Sequence, residues 1–268
     1  QTMGVERERE RLIPPVREDE DKAHWTFFSA TVSGIVILLF HGVTVLQLVM
    51  ILNDPLDFNI ASIDVKNPIP NAECTQFDRA ALAIDFSLFS IWTLQHSGMS
   101  RNFVKKAIGL EGKPIERGIF GLLSCLAWAI MITFWKPIQT CYIWRPEATT
   151  LSRLVLGGLT IIWGFVSILS IVYSIPDHIF GVSGEYNNPK RKRTVYYSYP
   201  YSMVRHPASG GFLAFVWGFT ILSLSLNHAI YAAFWTGYIV LGTYLEEKSL
   251  RVEYGPAYDA YARQVPAF

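Results

Sequence analysis

Six apolar runs constrain the fold of this 268-residue chain more than any other feature. Each is close in length to the roughly 17 to 25 residues that cross a bilayer as an α-helix. They cover residues 25–52, 77–94, 118–134, 151–175, 209–226 and 229–245. The composition agrees, because 51% of the residues are hydrophobic and eight are Trp. The sequence therefore predicts an all-α fold, a polytopic integral membrane helix bundle with about six transmembrane helices.

The distribution of Lys and Arg predicts the topology independently, because these residues accumulate on the cytoplasmic side of a membrane. With the N-terminus inside, eighteen of the twenty-three basic residues fall on the inner side. An odd number of spans would spoil this asymmetry. We therefore expect a multi-pass protein with both termini on one side of the membrane. The pattern does not specify whether this is the cell membrane, an organellar membrane or an endomembrane. The formal net charge of +1 argues against a nucleic-acid partner.

The chain divides into a charged N-terminal tail, residues 1–24, and a transmembrane domain, residues 25–268. Acidic and basic residues alternate from Glu6 to Arg11, so the tail is predicted to be solvated or to form a short surface helix. Cys74 and Cys141 both fall in outer loops. They are either free thiols or, in an oxidising compartment, a disulfide.

Two polar residues mark the second apolar run. Asp85 lies within it, and His96 follows eleven residues later, three helical turns along and on nearly the same face. Charge inside a membrane is costly, so such residues mark either function or a bond to a neighbouring helix. The spacing is compatible with a stripe that runs through Phe89 and Trp92 to the inner surface. It is equally compatible with a structural bond at Asp85 and an interfacial His96.

Two charged clusters bracket the last pair of apolar runs. Arg205, His206 and Pro207 precede the fifth run, and Glu246 and Glu247 follow the sixth, so both clusters fall on the inner side. Pro207 favours the first turn of a helix. Adjacent residues on a helix point about 100° apart, so one carboxylate of the pair can face the bundle. Taken singly, each cluster also fits an ordinary helix end at a membrane surface.

The ends of the sixth run carry two further predictions. Asn227 lies in the short turn between the last two runs, where it is expected to cap the following helix. Beyond the Glu pair, Gly255 and Pro256 interrupt the chain. Tyr258 and Tyr261 then share one face of a short C-terminal helix, which we expect to lie at the membrane interface.

Together these motifs resemble the C-terminal signature of the isoprenylcysteine carboxyl methyltransferase and phospholipid methyltransferase superfamily. The signature stands here as Val204-Arg205-His206-Pro207, Leu245-Glu246-Glu247-Lys248 and Tyr254-Gly255-Pro256-Ala257-Tyr258. Upstream, residues 94–99, 116–117 and 135–144 resemble the branch that contains methanethiol S-methyltransferase, nurim and NnrU-like proteins. The carboxyl methyltransferases commonly have Tyr where this chain has Ser209. That departure favours a thiol acceptor over a prenylcysteine.

The resemblance implies methyl transfer from S-adenosylmethionine to a small thiol or lipophilic acceptor, amid membrane lipids. The residues that it places around the cofactor are Arg205, His206, Pro207, Glu246, Glu247 and Tyr258. Arg205 and Glu246 are also expected to be catalytic. A thiol must lose its proton to become the nucleophile, and His96 is the candidate base. No metal site is predicted.

Two other functions remain open at this stage. A methyltransferase-like scaffold can be a catalytically silent structural subunit of a larger membrane protein complex, as the resemblance to nurim and NnrU-like proteins allows. The NnrU-like branch also extends to a haem-binding carotenoid isomerase, which would require two facing histidines. His96 and His206 are the inner-side candidates for that role, but the Glu pair favours the methyltransferase.

Overall fold

The computed structural model describes residues 16–52, 62–64, 77–113, 115–138, 150–174, 195 and 199–268, and these ranges contain helices and no strand. The predicted all-α fold is therefore confirmed. The helices are α1 Val16–Ile51, α2 Arg79–Met99, α3 Asn102–Ala107, α4 Glu116–Phe134, α5 Thr150–Ser174, α6 Pro207–Ser223, α7 Leu226–Tyr254 and α8 Pro256–Gln264.

Each of the six apolar runs falls on a helix, namely α1, α2, α4, α5, α6 and α7. Within the described ranges, two helical stretches are long and apolar enough on their own to cross a membrane: Ala30–Ile51 of α1 and all of α4. The apolar stretches Val155–Val166 of α5 and Pro207–Ser223 of α6 are shorter. Six transmembrane helices therefore stay a prediction.

Helix α1 begins at Val16, inside the segment predicted to be a separate tail. The final part of that tail is thus helical and continuous with the first apolar run. Residues 1–15, both outer cysteines and the basic run 190–193 lie outside the described residues. Cys125 is buried in α4.

The bundle is assembled from pairs of packed helices. Helices α1 and α2 pack on α4, α5 packs on α6, and α6 packs on α7. The α5–α6 contact is close because Gly164 lies against α6. A Cβ added there would lie 2.4 Å from the carbonyl oxygen of Gly211 and 2.6 Å from the backbone nitrogen of Phe215. This contact fixes the position of α6, whose first turn carries the Arg-His-Pro motif.

An aromatic core joins α2 to α6 and α7. The ring of Trp235 lies 4.8 Å from Trp92, 5.1 Å from Phe89 and 4.6 Å from Phe212, measured between centroids. Asp85, Phe89 and Trp92 are all buried on one side of α2. The predicted shared face is thus confirmed as a packed interior face.

Polar bonds connect the loops at the end of the bundle opposite Arg205. Asp85 Oδ1 accepts a hydrogen bond from the backbone nitrogen of Lys136 at 2.8 Å, which matches the structural alternative for Asp85. Asn227 Oδ1 accepts from the backbone nitrogen of Ile138 at 3.0 Å, and Asn227 Nδ2 donates to Asp64 at 3.0 Å.

The prediction that Asn227 caps the sixth helix is wrong. Helix α7 begins at Leu226, and Ser225 is its N-cap, with Oγ accepting from the backbone nitrogen of Asn227 at 3.1 Å. A side chain inside the first turn cannot occupy the cap position. The Asn227 amide instead bonds to loops that are distant in sequence.

Candidate functional site

The Arg-His-Pro motif forms the start of α6. Pro207 is the first helical residue, as predicted, because its missing N–H costs nothing at this position. The two preceding residues pair with the C-terminal segment. The backbone nitrogen of Arg205 donates to the Pro266 carbonyl at 2.8 Å, and that of His206 donates to the Ala267 carbonyl at 3.0 Å. The chain's last residues therefore run alongside the motif.

The Arg205 guanidinium joins three parts of the chain. Its Nε and Nη2 donate to Glu247 Oε1 at 2.8 and 2.5 Å, and its Nη1 donates to the carbonyls of Ala262 and Val265 at 3.0 and 2.5 Å. Only 11% of the Arg205 side chain and 15% of the Glu247 side chain are exposed. Four of the five guanidinium N–H donors are thus engaged within the protein. This buried pair holds α6, α7 and the end of α8 together.

The two glutamates face different environments. Helix α7 continues to Tyr254, so Glu246 and Glu247 lie within a helix that extends beyond the predicted apolar run. Glu247 faces inward, whereas 58% of the Glu246 side chain is exposed. The prediction that one carboxylate faces the bundle is confirmed, and it follows from the 100° offset of neighbours on a helix.

His206 lies between the two carboxylates. Its Nε2 is 3.3 Å from Glu247 Oε1, and its Nδ1 is 3.6 Å from Glu246 Oε2. The imidazole itself is buried. The buried ring contacts one internal and one exposed carboxylate. The internal Arg205–Glu247 pair can therefore hold the exposed Glu246 in position through His206.

Electrostatics keep Glu247 anionic. Burial by itself raises the pKa of its carboxyl, but the hydrogen bond and charge of Arg205, together with His206, outweigh burial and hold the pKa below its ordinary value. Tyr258 on α8 is buried nearby. Burial, followed by the negative charge of Glu247, raises the pKa of the Tyr258 phenol, so this group stays a neutral hydroxyl.

Tyr258 and Tyr261 lie on one helix, α8, as the sequence predicts, and they hold it against the bundle. Tyr258 and Tyr261 are both buried, with ring centroids 5.8 Å apart in an edge-on arrangement. The Tyr261 hydroxyl donates to the carbonyl of Tyr201 at 2.6 Å, just before the Arg-His-Pro motif. Helix α8 thus packs against the start of α6 through aromatic rings as well as through Arg205.

His96 has a separate environment. Its ring stacks on Trp92 at 5.0 Å and lies 5.0 Å from Phe120, and its Nδ1 is 3.3 Å from Ser124 Oγ. The neighbouring Ser97 hydroxyl lies 3.1 Å from the hydroxyl of Tyr238 on α7. Tyr238 precedes Glu246 by eight residues, about 12 Å along a helix axis. His96 and its described contacts therefore lie closer to the middle of the bundle than the Arg205 cluster does.

Sequence reasoning missed the backbone groups of this site. Ala262, Val265 and Pro266 contribute carbonyl oxygens, and no side-chain motif indicates them. The available signal was Gly255, whose φ of +55° lets the chain turn sharply between α7 and α8. This turn folds the C-terminal residues back onto α6.

Known proteins resemble the part of the chain that carries these residues. The profile of the phospholipid methyltransferase family matches residues 152–257, which include the Arg-His-Pro motif and the Glu pair. The methanethiol S-methyltransferase of Crocosphaera subtropica is 32% identical over 195 residues, covering 69% of this chain and 73% of that protein. The methanethiol S-methyltransferase of Pseudomonas deceptionensis is 30% identical over 190 residues, covering 69% of this chain and 71% of that protein.

The profile match and these relatives show the class of protein: this chain belongs to the phospholipid methyltransferase family, a family of membrane methyltransferases. Within that family it is similar to the proteins named methanethiol S-methyltransferase. It is also similar to nurim of Xenopus laevis, at 25% identity over 178 residues that cover 62% of this chain and 61% of that protein. No solved structure matches the chain.

Proposed function

We propose that this protein is a multi-pass membrane methyltransferase that transfers a methyl group from S-adenosylmethionine to a small thiol. In this proposal residues 25–268 form one domain with six transmembrane helices and an interfacial α8. One observation carries the proposal: the internal Arg205–Glu247 pair supports His206, and His206 lies against the exposed carboxylate of Glu246. Segments about forty residues apart thereby form one ligand-facing group.

The chemistry of these groups fits S-adenosylmethionine. Its amino-acid part carries an ammonium and a carboxylate, and its sulfonium is positive. The exposed Glu246 carboxylate suits the ammonium group. When bound, the cofactor would supply an electrophilic methyl group on its sulfonium sulfur.

Each residue of the proposed site then has a defined role. Arg205 and Glu247 fix the geometry of the site, while Glu246 and His206 meet the cofactor. Pro207 starts α6 at the position that places His206 between the carboxylates. Tyr258 lies buried beside the pair on α8, and its aromatic ring suits a cation bound close to it.

His96 is our candidate for removing the proton from a thiol acceptor. It lies deeper in the bundle, beside aromatic rings of α2 and α4. An apolar, aromatic environment suits a small hydrophobic thiol that arrives through the membrane, and it keeps competing water away. The thiolate is a stronger nucleophile than the thiol, so a base near the acceptor would promote methyl transfer.

A second candidate function is a catalytically silent subunit of a larger membrane protein complex. The observation in its favour is the extent to which Arg205 is bonded within the protein, because a purely structural latch needs only these bonds. The similarity to nurim is compatible with it. Purification of the protein only within a complex, together with absence of S-adenosylmethionine binding, would favour this alternative.

Methyl transfer in proteoliposomes tests the first proposal. S-adenosylmethionine with a labelled methyl group and methanethiol are supplied, and the labelled dimethyl sulfide is measured. We expect Glu246→Gln to lower kcat/KM for the cofactor at least tenfold, about 1.4 kcal/mol, because a charged hydrogen bond is lost. Glu253→Gln, two turns along α7, is the matched control and should change it less than twofold. Absence of methyl transfer by the wild-type protein from S-adenosylmethionine to methanethiol and longer alkyl thiols would contradict the proposal.

A further inference from the structure

The connection between α2 and α4, residues 101–113, combines positive charge with exposed apolar side chains. It contains four basic residues and one acidic residue, a net charge of +3. Phe103 is 75% exposed and Ile108 is 50% exposed. Arg101 and Lys106 are exposed beside them. We call residues 101–113 the basic connection.

One buried acidic residue orients the basic connection. Glu116, at the start of α4, is buried, and its Oε1 lies 2.6 Å from Lys105 Nζ. Its Oε2 accepts a hydrogen bond from the backbone nitrogen of Gly112 at 2.9 Å. Lys105 in α3 and Gly112 near the end of the connection are therefore both attached to α4 through the same carboxylate. The segment has a defined orientation, with Lys105 on the side that faces α4.

The helical spacing in α3 decides what faces outward. Phe103 is two residues from Lys105, about 200° around the helix, so it points away from α4 when Lys105 points toward it. Lys106 lies about 60° from Phe103 and shares its outward face. The exposed face of the basic connection thus combines an aromatic ring with an ammonium group that the Glu116 pairing does not use.

The basic connection directly follows α2, at the end where Ser97 contacts Tyr238 of α7. It therefore lies toward the same end of the bundle as Glu246. In a membrane protein, this end meets the headgroup region. Segments that insert apolar side chains and present Lys or Arg to that region bind anionic lipids.

We propose that the basic connection is a binding surface for anionic phospholipid headgroups. Phe103 and Ile108 enter the boundary between headgroups and acyl chains, and Arg101 and Lys106 contact the lipid phosphates. The adjacent apolar and basic side chains match an amphipathic lipid better than a free anion. This surface is separate from the proposed methyl transfer, because it shares no residue with the Arg205 cluster.

Lipid titration of the full-length protein in dodecyl maltoside tests the proposal. Fluorescent short-chain phosphatidylglycerol is compared with phosphatidylcholine. Wild-type protein should bind the anionic lipid more tightly. The double variant Arg101→Gln/Lys106→Gln should weaken that binding roughly 30-fold, because each basic residue near an anionic surface contributes about a factor of 5. Phe103→Ser should weaken the binding of both lipids about tenfold, since it removes an inserted apolar ring.

The matched control removes two exposed basic side chains from the opposite end of the same bundle. Arg79 precedes the buried part of α2, and Lys136 follows α4. The variant Arg79→Gln/Lys136→Gln changes the net charge equally and should keep phosphatidylglycerol binding within about threefold. An equal loss in this control, or no loss in the double variant, overturns the proposal. Equal competition by soluble glycerol phosphate would also overturn it, because an ion site needs no lipid.

Discussion

The substitution Arg205→Ala removes the group that joins α6, α7 and the end of α8. It breaks two hydrogen bonds to Glu247 and two to the carbonyls of Ala262 and Val265. It also leaves the Glu247 carboxylate, 15% exposed, without its main partner. His206 then faces two carboxylates whose positions are no longer fixed.

The cost follows from the burial of the pair. Removal of one partner of a buried ion pair destabilises a protein by about 3 to 5 kcal/mol, because the other charge is left in a poorly solvated site. Since the Arg205 and Glu247 side chains keep 11% and 15% exposure, we take the lower end, about 3 kcal/mol. The backbone bonds from residues 205 and 206 to the C-terminal segment remain, so the loss stays local to α8 and the Glu pair.

Arg251→Ala is the matched control. Arg251 contacts the same carboxylate, at 3.4 Å from Glu247 Oε2, and contacts Asp259 of α8 at 3.4 Å, but its side chain is 47% exposed. Exposed ion pairs contribute about 0 to 1 kcal/mol. The two substitutions remove the same charge from one network and differ in burial.

Unfolding by sodium dodecyl sulfate in mixed micelles gives the change in unfolding free energy for both variants. Hydrogen exchange measured by mass spectrometry on residues 256–268 shows whether α8 is released. We expect Arg205→Ala to lower the unfolding free energy by about 3 kcal/mol and to reduce the protection of α8 at least tenfold. Equal effects of Arg205→Ala and Arg251→Ala, or unchanged protection of α8, would refute the role of Arg205 as a buried latch.

Three further predictions concern single positions. Gly164→Ala should destabilise the α5–α6 contact by about 1 to 3 kcal/mol in the same unfolding assay, because its Cβ has no room beside Gly211, whereas Gly158→Ala, open to space, should be neutral or stabilising. Gly255→Ala should reduce exchange protection of α8 and cost about 1 to 3 kcal/mol, because an L side chain is strained at this φ. Glu247→Gln should make the unfolding free energy fall less steeply as the pH is lowered. The pKa of Glu247 is lowered in the folded protein, so its contribution to stability is present above about pH 4.3 and is lost as the pH falls through the folded pKa. An acid limb of the same slope in both proteins would contradict this assignment.

Local patterns predicted the parts of the fold that depend on neighbours in sequence. Apolar runs located the six long helices, and Pro207 located the start of α6. The 100° offset along a helix predicted that Glu246 and Glu247 would differ in exposure. Each of these inferences needs only a few consecutive residues.

The errors and omissions come from contacts between distant segments. The sequence predicts a cap at Asn227 because its amide suits that role, yet the side chain bonds to Asp64 and to the backbone of Ile138. The pairing of Arg205 with Glu247 joins positions 42 residues apart, and the charges alone do not specify which glutamate is buried. Backbone carbonyls of the C-terminal segment leave no trace in the sequence pattern. Tertiary geometry decides these contacts.

Isothermal titration calorimetry of S-adenosylmethionine into the purified protein in detergent tests the central claim most directly. We expect saturable binding by the wild-type protein, at least tenfold weaker binding by Glu246→Gln, and unchanged binding by Glu253→Gln. Unfolding measurements on the same samples keep a loss of fold apart from a loss of ligand contact. Equal affinity in the wild-type protein and Glu246→Gln, or no binding by a folded wild-type protein, would contradict the assignment of this site to the methyl donor.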